Sequence, residues 1–226
     1  RRTSVTDRIN GVTSFTFDSL GRVLTQTDPD PDGSGSQSAG VTTYEYSAAG
    51  LSKITDALSH ATTFVRDGQG RVTSVTDGLG NVTSYAYDYY SNLLSQTDPD
   101  PDGTGPLARP VTTFSYDIAN RLTSKSDPLS GNTSYTYDLA SNLTSLTDSV
   151  NNTTNFAYDG LNRQVLNTNS LNKSSSYTYD VAGNLVRTKD RAGKVIEYSF
   201  DALGRTTAER WQSSTPTLTV ATTQQG

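Results

Sequence analysis

The chain has no cysteine, no methionine, one histidine (His60), one tryptophan (Trp211) and only three glutamates, Glu45, Glu197 and Glu209. Without cysteine there is neither a disulfide framework nor a zinc–thiolate site, so the redox compartment leaves no mark on the sequence. Apolar residues make up 32 % of the chain, and no run of them approaches the roughly 20 needed for a helix to cross a bilayer. No basic-then-apolar leader opens the chain, and membrane insertion is not expected. With a net charge of -5 and a pI near 4.8 there is no basic stripe for a polyanion, which excludes nucleic acid as a partner.

What remains is Thr, Ser, Tyr, Phe, Asn and Gly, a mixture poor for helices and good for strands and turns. The aliphatic share is too small for a thick, multilayered core. An all-β fold built on a thin sheet is expected.

One short pattern recurs: aromatic, any residue, aromatic, Asp, two residues, then Gly or Asn before Arg or Asn. Nine copies run from Phe15-Thr16-Phe17-Asp18 to Tyr198-Ser199-Phe200-Asp201. From Asp67 to Asp88, and from Asp117 through Asp138, Asp159 and Asp180 to Asp201, the interval is 21 residues, the mark of a repeat architecture. Four copies depart from the pattern: Tyr44-Glu45-Tyr46 is followed by Ser47 instead of Asp, Phe64-Val65 by Arg66 instead of an aromatic, and Ser91 and Ser141 hold the place of Gly or Asn in the copies that begin at Tyr85 and Tyr135. Counting repeats, residues 1–211 form one array, broken by acidic insertions at 28–40 and 98–110, and 212–226 form a tail or the start of another repeat. The array opens in mid-repeat and without Met, so it is expected to be a piece of something longer.

Each unit reads as a hairpin. In the example of residues 71–88, Arg71–Thr76 and Val82–Tyr87 are β-branched or aromatic and are bounded by Gly70, Asp77-Gly78 and Gly80-Asn81. The Asp suits a type I turn closed by a left-handed residue, because it accepts backbone N–H bonds while Gly or Asn tolerates positive φ. Alternation puts both aromatics of a strand on one face and Ser or Thr on the other. The aliphatic residue five before the closing Asp, such as Val72 or Leu143, joins the aromatics. The variable residue two before it (Gln26, Ile54, Gln96, Lys125, Leu146) is expected at solvent or against a neighbouring chain. A single sheet with one aromatic face needs cover, so the tandem antiparallel hairpins are expected to form a continuous sheet that curls or spirals, continues into further repeats or pairs with another chain.

The strings Tyr-Thr-Tyr-Asp-Leu-Ala-Ser-Asn-Leu at 135–143 and Phe-Asp-Ala-Leu-Gly-Arg at 200–205 resemble the YD repeat of Rhs-type proteins, bacterial toxin-complex shell proteins and teneurins. The resemblance covers residues 2 to about 211. It implies a β-sheet strip spiralling into a hollow shell, secreted or on the surface of a bacterial cell, which in bacterial members encloses a toxic cargo. Nothing here resembles the family's self-cleaving terminal core, and Asp127-Pro128 matches the turn at Asp77-Gly78, so no protease role is carried onto it.

Chemistry has few candidates. The insertions Asp28-Pro29-Asp30-Pro31-Asp32-Gly33 and Asp98-Pro99-Asp100-Pro101-Asp102-Gly103 open like a calcium loop, with oxygens at positions 1, 3 and 5. The closing Glu is replaced by Ala39 and Arg109. Weak calcium binding by Asp28, Asp30, Asp32, Asp98, Asp100 and Asp102 stands beside a solvated, Pro-stiffened turn, and no cofactor is required. His60 stands where Asn81 stands in the next unit and reads as a turn residue. The Asp residues recur in every unit, so no unique carboxylate pair marks a glycosidase. Asn-x-Ser/Thr at Asn81, Asn132, Asn142, Asn151, Asn152 and Asn172 marks turns or glycan acceptors. Trp211 reads as a strand residue facing the core, with cover of the last sheet edge or contact with a next protomer as the alternative.

The expectation is a non-enzymatic, extracellular structural array, part of a shell wall or filament. Its partners are further repeats, in the same chain or in another. The alternatives are a carrier that encloses a toxic cargo and a surface adhesion module that binds glycans.

Overall fold

The computed structural model describes residues 2–8, 10–32, 38–103, 105 and 107–212, and the backbone of 218–221. Residues 33–37, 104 and 106 of the acidic insertions, and 213–217 and 222–226 of the tail, lie outside the described residues. Described residues form twenty strands and no helix, in two compact units, Arg1–Thr113 and Phe114–Gly226.

In the first unit β1 (Ser4–Thr6), β2 (Val12–Phe17), β3 (Val23–Thr27), β4 (Val41–Ser47), β5 (Gly50–Thr55), β6 (Ala61–Arg66), β7 (Val72–Thr76), β8 (Val82–Tyr87), β9 (Leu93–Thr97) and the start of β10 (Val111–Tyr116) each pair antiparallel with the next. In the second, β11 (Leu122–Ser126), β12 (Asn132–Tyr137), β13 (Leu143–Thr147), β14 (Thr153–Tyr158), β15 (Gln164–Thr168), β16 (Ser174–Tyr179), β17 (Leu185–Lys189), β18 (Val195–Phe200), β19 (Thr206–Gln212) and β20 (Leu218–Ala221) do the same. This is the all-β class of tandem antiparallel hairpins that the repeat predicts. In the tail, β20 returns along β19, with Leu218 opposite Gln212.

The even-numbered strands from β2 to β18 carry the aromatic pairs, and they place them on one face. Tyr135 lies opposite Leu146, Tyr137 opposite Leu143, and Thr136 opposite Ser145. The other face is a hydroxyl ladder, in which Thr136 Oγ1 lies 2.7 Å from Ser145 Oγ and Thr147 Oγ1 lies 2.8 Å from Thr153 Oγ1. Val195 alone among the described residues is buried, at 7 % exposure, and the rings of the aromatic pairs are half-buried. The sheet is therefore as thin as the low aliphatic content requires.

One expectation fails. The residue two before the closing Asp does not face away from the aromatics: Gln26 lies opposite Phe15, Ile54 opposite Tyr44, Gln96 opposite Tyr85 and Leu146 opposite Tyr135. All four are half-buried, and only Lys125 of the five is exposed. The reason is a β-bulge. Tyr137 pairs with Leu143 while Thr136 pairs with Ser145, so Thr144 is an extra residue and its hydroxyl, like that of Ser145, meets Thr136. Two consecutive residues thus share the hydroxyl face, and residues three apart share the aromatic one. The same shift recurs at Thr16/Phe17, Val65/Arg66, Ala157/Tyr158 and Thr178/Tyr179.

Candidate functional site: the aspartate turn and its ties

No pocket or cluster of unique groups dominates the described residues; what repeats is a turn. In fifteen turns an Asp, or Asn169, donates its N–H to the carbonyl of the fourth residue on, and the residue before that one donates back. That returning residue has positive φ, from 55° at Asn172 to 93° at Gly183, so Gly, Asn or Ser stands there. The carboxylate caps the loop. Asp117 Oδ1 accepts the N–H groups of Ala119 and Arg121, at 2.9 and 3.0 Å, while Oδ2 accepts Arg121 Nε at 2.7 Å. In Asp18, Asp117 and Asp201 the N–H of the fourth residue holds the carboxyl below its usual range. In Asp67, Asp138, Asp159 and Asp180 the fourth side chain contributes most to the same lowering. Both turns of each repeat use the device, since Asp77, Asp127, Asp148 and Asp190 close the opposite ends of the strands.

The turn is also tied to the next repeat. Arg71 donates from Nε to Asp67, lies 4.8 Å from the Tyr87 ring centroid, and donates from Nη1 to the Asp88 carbonyl at 2.7 Å. Arg121 repeats this on Tyr137 and Asp138, and Arg163 on Tyr179 and Asp180. Partly exposed ion pairs of this kind are individually worth about 0–1 kcal/mol, and the stacking adds a comparable amount. The tyrosine hydroxyl completes the tie: Tyr137, Tyr158 and Tyr179 donate to the carbonyls of Leu122, Leu143 and Gln164 at 2.9–3.1 Å. Burial pushes the phenols of Tyr137 and Tyr158 up.

The tie alternates, a feature the 21-residue reading missed. Arg stands four after the Asp at 71, 121, 163 and 205, and Asn stands there at 92, 142 and 184. Asn142 donates to its own Asp138 and, at 2.9 Å, to Asn162 of the next turn, reaching by amide where Arg reaches by guanidinium. The signal was available as an alternation of Arg and Asn over two repeats.

Arg66, the odd member of the aromatic positions, takes over the tyrosine's bond. Its Nε donates to the Leu51 carbonyl at 3.1 Å, fifteen residues back, the same separation as in the tyrosine ties, and its Nη1 donates to the Gly70 carbonyl at 2.8 Å.

The acidic insertions stand on the same foundation. Asp28 donates its N–H to the Gly40 carbonyl and Asp98 to that of Pro110, both at 2.9 Å, so each insertion replaces the middle of one turn. Their carboxylates are spent locally. Asp28 accepts Gln26 Nε2, Asp98 accepts Gln96 Nε2, Asp30 and Asp100 accept the N–H of Asp32 and Asp102, and Asp102 accepts the Leu107 N–H. Arg109, at the closing position of the calcium pattern, donates to the carbonyls of Asp98 and Val82. Among the described residues no three Asp, Glu or His side chains come together to hold a metal.

His60 is the fifth residue of the Asp56 turn, its Nδ1 3.0 Å from Asp56 Oδ2, in the place Asn81 fills at Asp77. Asp127 caps its turn through the Leu129 and Gly131 N–H groups, as expected of a turn former. Of the glycan-type asparagines, Asn81, Asn142 and Asn152 donate their amides to the turn Asp. Trp211 lies opposite Ile196 on the aromatic side, with Lys194 Nζ 3.8 Å from its ring centroid.

Comparison with known proteins follows the same divisions. The RHS Repeat model matches residues 1–34, 46–80 and 66–104, and the Teneurin YD-shell model matches residues 102–215, just over half of the chain. The chain belongs to the YD-shell family of Rhs-type repeat proteins. No curated protein matches it. Among solved structures it aligns with the TcdB2-TccC3-TEV crystal structure at 16 % identity and a TM-score of 0.44, covering 92 % of this chain and 14 % of that one. The Tc holotoxin pore of Photorhabdus luminescens, with a TccC3 mutation, aligns at 15 % identity and a TM-score of 0.40, over 91 % and 14 %. A porin-like protein from Bacteroides uniformis aligns at 15 % identity and 0.34, over 89 % and 86 %. The chain thus spans about a seventh of the length of the toxin-complex chains it aligns with.

Proposed function

We propose that this chain is a stretch of wall in a secreted or surface-exposed YD-repeat shell and has no catalytic role of its own. The observation that carries this reading is the sameness of the repeats: each Asp that could act as an acid or base is used, in nearly every hairpin, to cap a turn. A catalytic group must differ from its neighbours in environment; these do not. The ties from Arg or Asn to the next turn do what a wall needs, since they join the turn of one hairpin to that of the next.

In the shell reading the array continues into further repeats, and a cargo, where there is one, is supplied by another part of the protein. Electron microscopy of the whole protein carrying this stretch tests it. Hollow particles are expected. Fibres would turn the reading to a filament, and dispersed monomers that bind immobilised glycans would turn it to adhesion.

A further inference from the structure

The net charge of -5 hides one basic neighbourhood. Residues 169–194 hold five cations and two carboxylates, a net of +3, and three of the cations gather on one margin of the second unit. Lys173 and Lys194 stand fourth after the turn residue, where earlier turns of that margin have Asn81, Gly131 and Asn152, and Asn169 replaces the Asp that heads those turns. Arg121, Arg163 and Arg205 are each spent on a carboxylate, whereas Lys173, Arg191 and Lys194 form an ion pair with none among the described residues. Asp190, the carboxylate nearest to them in the chain, is turned into its own loop, where Oδ1 accepts the N–H groups of Ala192 and Lys194 at 2.9 Å.

These cations stand over a polar floor. The register puts Asn167 opposite Ser175, and Tyr177 opposite Thr188, on the aromatic face, where the preceding repeat has Leu146 in the place of Asn167. Lys173, two before Ser175, shares that face by alternation. Arg191 is not a solvated tip: its Nη2 donates to Asn167 Oδ1 at 3.1 Å, and Asn167 Nδ2 donates to the Tyr177 hydroxyl at 3.1 Å. The other N–H groups of the guanidinium and the Tyr177 O–H remain to be given to a ligand. On the far side Lys194 Nζ lies 3.8 Å from the ring centroid of Trp211, which is 41 % exposed. Turns of one margin are two strands, roughly 10 Å, apart. Lys173 and Lys194 therefore bracket an opening the size of a small ligand, too short for the stripe that a polyanion needs.

The three kinds of group define what fits. Cations held in place call for an anionic oxygen group, the amide and hydroxyl beside them call for hydroxyls, and the indole calls for C–H groups. We propose that Lys173, Arg191 and Lys194, with Asn167, Tyr177 and Trp211, bind an acidic sugar, its carboxylate on the cations and its ring against the indole. An acidic peptide would satisfy the cations but leave the amide and hydroxyl floor unused. The site stands independently of the wall reading.

Trp211 is the only tryptophan, so its fluorescence reports on the site. Titration of the 226-residue chain with short oligomers of galacturonate, glucuronate and mannuronate is expected to change that fluorescence, with a half-point at about millimolar concentration for at least one of them. In Arg191→Gln/Lys194→Gln, read by calorimetry because Lys194 lies on the reporter ring, binding should fall at least roughly tenfold at an unchanged melting temperature. Lys53→Gln removes an ammonium already paired with Glu45 in the first unit and should bind like the wild type. Methyl esters of the oligomers keep the sugar and lose the charge; triglutamate keeps the charge and loses the sugar. Both should bind at least roughly tenfold more weakly than the acidic oligomers. No binding of any oligomer up to about 10 mM, equal binding of the esters or of triglutamate, or undiminished binding by the double variant would each overturn the site. None of these would touch the wall reading, which fails only if the whole protein forms no shell.

Discussion

The two units obey one rule with different strictness. From Asp117 to Asp201 the second unit keeps its 21-residue interval without insertion, and each tie falls where the pattern puts it. The first carries two insertions, a Ser in place of the turn Asp and an Arg in place of an aromatic. Its strands pair in the same register nonetheless, bulge included. What survives in both is a small set of backbone-directed bonds: the N–H from the turn residue across the loop, and the side-chain donor to the carbonyl of the neighbouring hairpin. Ser47 shows how little is enough, since Oγ accepts the Ala49 N–H at 3.1 Å and donates to the Gly50 carbonyl at 3.2 Å in a loop one residue shorter. The fold depends on which backbone groups are satisfied more than on which residue satisfies them.

The largest expected effect is that of acid, and it should be common to both units. Turn carboxyls in the first (Asp18, Asp67, Asp77, Asp88) and in the second (Asp138, Asp159, Asp180) are lowered from 3.8 by their hydrogen bonds. A group whose folded pKa is depressed contributes stability that is complete above its unfolded value and lost as pH falls through the folded one. The melting temperature should be level at neutral pH and drop steeply below about pH 4. A level curve through that range would show that the carboxylates do not hold the turns.

Next comes the tie. Tyr137→Ala in the regular unit removes a ring, the stacking of Arg121 on it and a hydrogen bond, and should cost roughly 3 kcal/mol. Arg66→Ala in the irregular unit loses two carbonyl bonds and should cost about 2 kcal/mol, whereas Arg66→Tyr should restore most of that. Denaturant melts of the three variants check the pair. Tyr137→Phe isolates the hydroxyl and should cost about 1 kcal/mol. Replacing residues 29–39 by the Ser-Leu-Gly of 19–21 should raise stability by about 1 kcal/mol, because the shorter loop closes at less entropic cost. Smallest of all, millimolar calcium should leave the melting temperature where it is, since the insertion carboxylates are already engaged by Gln26, Gln96 and backbone N–H groups. A rise would show that the loops can regroup around the ion.

The turns were legible from the sequence because their chemistry is local: an Asp and a Gly, Asn or Ser three residues later declare the loop within five residues. The aromatic stripe was legible from period-two alternation in the even-numbered strands. The bulge was not, because an extra Thr144 or Thr73 looks like any other β-branched strand residue, and one uncounted residue moves Leu146 and Gln96 to the opposite face on paper. Arg66 read as a lapse in the pattern because sequence shows the residue type and not the carbonyl it reaches. The acidic loops match the opening of a calcium loop in spacing, and the sequence could not show that Gln26 and Gln96, two residues before each insertion, reach the first carboxylate.

Amide hydrogen exchange at the turn residues tests the common foundation most directly. Slow exchange is expected at Asp117, Asp138 and Asp159 and equally at Asp28 and Asp98, whose N–H groups close the inserted loops on Gly40 and Pro110. Rapid exchange at Asp28 and Asp98, alongside protected amides at the other three, would show that the insertions interrupt the sheet and that the two units are not built on the same rule.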